Sequence, residues 1–432
     1  MVALEHPSLQ LAPSDTTAAV ELPRMVLHVM NSAGGGAAMS TQDLIHSLAE
    51  RGIQSSVVCH AMGSESERER LRDCVAGRVL FTPLYWMNKK IRAARWKRPL
   101  IEMRQLVKTG WRMASTRAVV EAAERYQADL IHSNTIVTGE GGWTAARLKL
   151  PHVWHVRELV GPGGICRFNR EGKALGERLA RHASVVVANS QATGARLAEL
   201  LPQGLLRVVP NGIDISRFAP RKTASRGGPR VVAMVAALSS RSKNHLLFVR
   251  AAAQLRDVDD VEFRIYGDDP STSDPSRKDA YANAVHHAVG GLGIDQRFRW
   301  PGHIAEPADI MQGIDILVQP SEQESFGRVM VEAMAAGIPV VSVRGGGAAE
   351  IVVHEETGLL GPPNDVAAMA AALRRLLDNS ALCARFGASG RARVEANYSL
   401  RACTEGMLAA YAQAMHSPVG LLTATRQSVD RP

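Results

Sequence analysis

Apolar and polar positions along this chain fall into two alternating rhythms. Short apolar runs at Met25–Met30, Gln54–Cys59, Asp129–His132, Pro151–Val156 and Ala183–Asn189 are separated by stretches of helical spacing such as Ala37–Arg51. A second series has runs at Arg230–Ala236, Glu262–Tyr266, Ile314–Gln319 and Ile338–Val343. Runs of this kind suit strands buried on both faces, and their alternation with helices predicts parallel sheets covered by helices. Residues 219–229, with Pro, Lys and Gly, separate the two series. The pattern therefore predicts an α/β chain of two Rossmann-like, doubly wound domains, at 23–210 and 211–398, facing an interdomain cleft. Ligands of such sheets bind beyond the carboxyl ends of the strands, which makes the cleft the expected site. Residues 1–22 and 417–432 lack useful periodicity and read as loose tails.

Composition narrows the class. At 432 residues with 46% apolar content the chain is long enough for two cores, and only 5% of it is aromatic. Cys59, Cys74, Cys166, Cys383 and Cys403 are scattered and odd in number, with no paired-ligand spacing. A disulfide framework or a zinc site is not expected, and a reducing cytoplasm fits best. Glu5, Asp15 and Glu21 interrupt any N-terminal apolar run, so no signal peptide is read. No stretch approaches the ~20 apolar residues of a membrane span.

The most informative segment is Pro320–Pro339. Glu324 falls in a Gly-containing turn, and Glu332, eight positions on, falls one turn into an apolar helix. Helix starts leave backbone N–H groups unpaired and carry partial positive charge, which suits a phosphate. A nearby carboxylate can accept the paired hydroxyls of a ribose. An isolated pair of acids would read equally as a surface loop entering a core helix.

The pair is not isolated. Glu324, Ser325, Phe326, Gly327, Glu332, Ala333, Ala336, Gly337, Pro339, Val340 and Val341 stand in order as acid, any, Phe, Gly, four residues, acid, Ala, then Ala-x-Gly-x-Pro-Val-Val. This resembles the donor-binding motif of the GT4-like retaining glycosyltransferases ("glycosyl transferases group 1"), the large family that includes sucrose synthase and bacterial mannosyltransferases. The resemblance runs from about residue 24 to 415, strongest over 209–361 and weakest over 60–128. It implies the GT-B architecture, with a helix at about 399–416 crossing back onto the first domain. It also implies site roles: Glu332 for the ribose, and Glu324 with the backbone around Ser325, Phe326 and Gly327 for the donor sugar. Helix amides near Val329 and Met330 are implied for the diphosphate.

Three further places take their reading from the resemblance. Gly34, Gly35 and Gly36 follow a strand and open a helix but lack Gly-x-Gly-x-x-Gly spacing, so alone they read as a tight turn. In the family that turn faces the diphosphate. The segment Val235–His245 matches a loop that usually reads Gly-Arg-Leu, three residues, then Lys. Here Lys243 takes the lysine position, Ala237 stands where the arginine belongs, and Arg241 is expected to supply the missing cation. Strand Pro151–Trp154 leads into His155, which the family would aim at the donor sugar, while Arg157 and Glu158 are expected to shape the acceptor pocket or pair with each other. Val209–Phe218 matches the interdomain turn, with Asn211-Gly212 as turn residues.

Charge adds a feature the family motif does not explain. Residues 81–117 carry ten cations, Lys89 to Arg117, against the single acid Glu102, with Tyr85, Trp86, Trp96 and Trp111 interleaved. Most of the formal charge of +9 traces to this insertion. The segment suits a solvated helix, an anionic membrane surface or an anionic acceptor. No nucleic-acid module accompanies it, and none is expected as a partner.

The chain is thus read as a metal-independent, retaining transferase without a cofactor. It would move a sugar from a nucleoside-diphosphate sugar to a hydroxyl of a glycan or lipid-linked acceptor, in polysaccharide or surface-glycan assembly. The expected location is the cytoplasm, at or near the inner membrane face. The alternatives are a non-catalytic nucleotide-sugar-binding subunit and a nucleotide-sugar epimerase or phosphorylase on the same architecture. Diphosphate release separates transfer from mere binding.

Overall fold

The computed structural model describes residues 21–85, 98–161, 172–220, 228–269 and 279–417, with side chains of the helix Arg98–Arg125 described from Gly110 onward. Thirteen strands are described, β1 (Met25–Met30), β2 (Gln54–Cys59), β3 (Val79–Phe81), β4 (Leu130–Ser133), β5 (His152–Val156), β6 (Val185–Ala188), β7 (Leu206–Val208), β8 (Arg230–Val235), β9 (Val261–Tyr266), β10 (Phe298–Gly302), β11 (Ile316–Gln319), β12 (Val340–Val343) and β13 (Gly358–Gly361). They form a seven-stranded sheet in the order β3-β2-β1-β4-β5-β6-β7 and a six-stranded sheet in the order β10-β9-β8-β11-β12-β13. All recorded strand pairings are parallel. The α/β, doubly wound fold expected from the periodicity is what the chain adopts.

The nine strands anticipated from apolar runs are all present, two of them with the expected bounds. β3, β7, β10 and β13 carried no such signal, and all four are edge strands of their sheets. β3 and β7 are three residues long and partly exposed. β10 contains Pro301 and a register shift between Arg299 and Gly302, both tolerated on an edge strand that need not pair on its outer side. β13 opens on Gly358, where a Cβ would overlap the Val340 carbonyl.

One device starts both sheets. The Asp129 carboxylate, just before β4, accepts the Met25 N–H at 2.9 Å, and the Asp315 carboxylate, just before β11, accepts the Val231 N–H at 2.7 Å. Each aspartate thereby aligns the two strands that flank the topological switch of its sheet. Strand order reverses between β1 and β4 and between β8 and β11, so the crevices open where those strands end.

Two chain crossings join the domains side by side. Ile213 N–H donates to Tyr398 O at 3.0 Å and Leu400 N–H to Ile213 O at 2.9 Å. A Cβ on Gly212 would lie 2.6 Å from the Ser399 carbonyl, so this glycine serves a close backbone approach in addition to the turn. After the second crossing, Ser399 caps the helix Leu400–Met415, which packs with β5, β6 and the helix Gly36–Ala49 of the first domain. Met407, Ala410, Tyr411 and Ala414 bury that contact among Val26, Leu44, Val153 and Val187.

Candidate active site

At the β8/β11 switch the loop after β8 and the turn after β11 are stitched together. Lys243, in a single helical turn, places Nζ 2.7 Å from Glu324 Oε2, and the same oxygen accepts Gln319 Nε2 at 2.9 Å. Ser321 Oγ donates to the Ser242 carbonyl at 3.0 Å. The Gly345–Gly347 run lies directly on the turn: a Cβ at Gly345, Gly346 or Gly347 would overlap the carbonyls of Glu322, Glu324 or Phe326. Gly347 N–H also donates to Glu324 O at 2.7 Å. Three consecutive glycines are thus what allows a second loop to brace the acid-bearing turn.

Gly327 (φ 101°) turns the chain into the helix Arg328–Ala335, whose first turn has no side-chain cap. Met330 N–H is taken by the Gly327 carbonyl at 2.9 Å, leaving the N–H groups of Arg328 and Val329 without an acceptor among the described residues. The Phe326 and Met330 side chains are core: Phe326 packs edge-to-face on Tyr398 and Met330 is fully buried. Ser325 is half-buried at the rim.

Across the cleft, Gly34–Gly36 form the uncapped start of the helix Gly36–Ala49, with Gly35 (φ 84°) and Gly36 exposed. Glu67, in the capping box of the helix Glu65–Cys74, occupies the space a Gly34 side chain would need. Gly36 faces the Arg328 side chain, whose Cδ would lie 3.9 Å from a Cβ placed there.

Residues 34–217 match the model of Glycosyltransferase Family 4, and residues 216–393 match that of Glycosyl transferases group 1. A D-inositol 3-phosphate glycosyltransferase of Kineococcus radiotolerans is 31% identical over 323 residues, covering 68% of this chain and 73% of that protein. The chain belongs to the glycosyl transferases group 1 family. An enzyme of the same description from Nocardia farcinica is 30% identical over 66% of this chain and 67% of its own. Among solved structures, the Anabaena protein HepE in complex with UDP-glucose superposes with a TM-score of 0.71 at 22% identity, covering 89% of this chain and 98% of that one. Sucrose-phosphate synthase of Thermosynechococcus elongatus does so with 0.68 at 22% identity, covering 91% and 100%. The protein is a glycosyltransferase of GT-B fold.

In this glycosyltransferase the anticipated residues do not all converge. Lys243 and Glu324 meet, but Arg241 is exposed and lies over the Tyr281 ring, 5.4 Å from its centroid. Glu332 is buried and its Oε1 accepts Arg328 Nε at 2.7 Å. Burial pushes its carboxyl upward against the pull of that guanidinium. His155 stands on β5, 1% exposed, with Nδ1 3.3 Å from His132 Nε2 and with Nε2 unpartnered among the described residues. Two residues on, one past the end of β5, stands Arg157. Nη1 of Arg157 donates to Asn211 Oδ1 at 2.6 Å and Nη2 to Thr41 Oγ1 and Asn134 Oδ1, each at 3.3 Å. Burial lowers Arg157 to about 10, with nearby Cys403 and Glu158 pulling the other way. Glu158 folds onto the loops beside it, accepting from Thr135 Oγ1, from the Ile136 N–H at 3.2 Å and from the Arg157 backbone N–H at 3.1 Å. Of the two expectations for this pair, side-chain pairing is not seen among the described residues: Arg157 takes neutral partners and Glu158 accepts from the Thr135–Ile136 loop.

Sequence reading passed over Arg328, Asp43, Ser40 and Asn134. Arg328 was visible as the residue four before Glu332 on an apolar helix, the spacing of a helical ion pair. The other three come from elements far away in sequence. Residues 86–97 of the basic insertion, and side chains up to residue 109, lie outside the described residues. The described part shows Trp111 and Met113 exposed and Arg112 over the Trp143 ring. No helix of the described residues is long and apolar enough to cross a membrane.

Proposed function

We propose that this enzyme transfers a sugar, with retention of anomeric configuration, from a nucleoside-diphosphate sugar to an acceptor hydroxyl. The observation that carries the reading is the Lys243–Glu324 ion pair at the mouth of the β8/β11 switch, between two uncapped helix starts. A donor brings the complements of both partners at once: phosphate oxygens for the ammonium and sugar hydroxyls for the carboxylate. Exchange of one pairing for two is favourable because hydrogen bonds to charged groups contribute about 1.5–3 kcal/mol each. Glu324 and the Phe326–Gly327 backbone then grip the sugar, and Glu332 accepts the ribose hydroxyls.

The leaving phosphate gains negative charge during transfer, and fixed positive charge there lowers the barrier. Lys243 and the Arg328 and Val329 amides supply it. Arg241 joins them by leaving Tyr281, since an exposed cation–π contact is about 0.5–1 kcal/mol and a charge-assisted phosphate contact exceeds it. Protein cations then serve in place of a metal, so turnover should survive a chelator. UDP and UDP-glucose are bound by the HepE crystal structures, and inositol 3-phosphate is named for the curated relatives. These support a nucleotide-sugar donor and a small polar or glycan acceptor. Arg157, a buried guanidinium with no ion pair among the described residues, faces the acceptor side. The basic insertion at 81–117, with Trp111 exposed, would bring the enzyme to an anionic membrane face carrying a lipid-linked acceptor in surface-glycan assembly.

The test is diphosphate release from a panel of UDP-, GDP- and ADP-sugars, with and without membrane extract. Release that is lost in Glu324→Ala and Lys243→Ala supports the assignment. Donor binding without release or transfer to any acceptor fraction overturns it.

A further inference from the structure

Arg328 is a buried cation that the proposed chemistry leaves unused. Its Nε donates to Glu332 Oε1 at 2.7 Å, its Nη1 to Ser40 Oγ at 3.0 Å, and its Nη2 lies 2.8 Å from Asp43 Oδ2. The last contact is off the hydrogen-bond line and is ionic in kind. Asp43 Oδ1 in turn lies 3.4 Å from Arg217 Nη1, and Arg217 Nη2 lies 2.6 Å from Glu306 Oε1. One guanidinium therefore ties a carboxylate of the second domain to the first helix of the other domain, and the chain of charges crosses back through the interdomain turn.

The physical need for such a tie is specific. A glutamate as buried as Glu332 would take up a proton if left unpaired, and a protonated carboxyl is no longer a pure acceptor. An arginine four residues earlier opposes that uptake, occupies one oxygen and leaves the other for a vicinal diol. Burial alone would lower Arg328, but Glu332 and Asp43 outweigh it and hold the group above its ordinary value. Lysine in its place would keep charge but could not serve three partners in one plane.

We propose that Arg328 is a positioning residue for ribose recognition, aiming Glu332 at the sugar diol and coupling that carboxylate to the first domain through Asp43 and Ser40. The proposal rests on the reading of Glu332 as the ribose ligand. The experiment compares dissociation constants of whichever of UDP, GDP and ADP binds best with those of its 2′-deoxy counterpart, by calorimetry, in wild type, Arg328→Lys, Asp43→Asn and Glu332→Gln. Wild type is expected to prefer the ribonucleotide by about tenfold or more. Arg328→Lys should bring that ratio to within about threefold by weakening the ribonucleotide alone, with Asp43→Asn intermediate and still folded if the lysine variant is not. A merely structural role would weaken both ligands together and keep the ratio, which overturns the proposal while a lost ratio in Glu332→Gln leaves the ribose reading standing. An unchanged ratio in Glu332→Gln sinks the ribose reading itself.

Discussion

The two sheets begin alike and end differently. Each uses an aspartate, Asp129 or Asp315, to align the strands at its switch point. Beyond those strands the second domain presents ion pairs, Lys243–Glu324 and Arg328–Glu332. Within the strands of the first domain stand neutral rings instead. Asn134 Nδ2 donates to His28 Nδ1 at 3.2 Å, His132 Nδ1 lies 2.7 Å from the Tyr411 hydroxyl, and His132 meets His155. Burial depresses His28 to about 3, with Arg157 adding to it, and holds His132 and His155 well below their usual range. The contrast separates two uses of polar groups inside a protein. Charges already paired in the free enzyme can trade partners with a charged ligand. Neutral rings hydrogen-bonded to one another hold the platform from which Arg157 projects and have no charge to trade.

The sharpest way to break the comparison is to remove a charge from the second domain. Lys243→Ala should lower the rate of donor turnover by about 10²-fold or more, the loss expected for a group that stabilises developing charge. Its thermal melting should stay close to wild type because Lys243 is partly exposed. A variant with unchanged turnover would place the diphosphate elsewhere.

Gly212→Ala tests the joint between the domains. Its Cβ would press on Ser399, Leu400 and Cys403, and overpacking of this kind costs about 1–3 kcal/mol, read as a lower urea midpoint.

Acid titration tests the first domain. The three rings His28, His132 and His155 are neutral in the fold, while the unfolded chain protonates them near 6.5. Their stabilisation is complete above that value and is lost as pH falls below it toward the depressed native values. Each ring should steepen the loss by up to about 1.4 kcal/mol per pH unit. Urea unfolding at successive pH values below 6.5 should show a shallower slope for His155→Gln than for wild type, and an equal slope would mean that His155 is charged in the fold.

The smallest effect is expected from Tyr411→Phe. It removes the hydroxyl that meets His132 and should cost about 1 kcal/mol of stability with little change in donor affinity. A large loss of donor affinity would instead make the crossing helix part of the cleft's response to ligand.

Much of this was legible in the residues themselves. Glu324, Gly327 and Glu332 lie in one contiguous motif, so their local geometry follows from a turn and one helix. The same holds for Lys243, whose loop follows an apolar run that can only be a buried strand. His155 and Arg157 mark the limit. The first lies on β5 and the second one residue past its end, and what each side chain meets depends on how far the neighbouring elements cover the strand. Here His132, itself packed on Tyr411, stacks on the first. Arg241 marks another: its loop places it beside Lys243 in sequence, yet the Tyr281 ring from a separate helix draws it away.

The sequence alone determined the α/β alternation, the two-series division of the apolar runs and the acids and lysine that meet at the β8/β11 switch. Those depend on periodicity and on neighbours within a few residues. Only the tertiary structure decided that Arg328 would be shared between Glu332 and Asp43, that Gly212 would sit against a second chain crossing, and that three histidines would be buried against one another and their neighbours. Each of these joins residues far apart in sequence, and burial and pairing at such distances exist only once the two sheets and the crossing helix have packed.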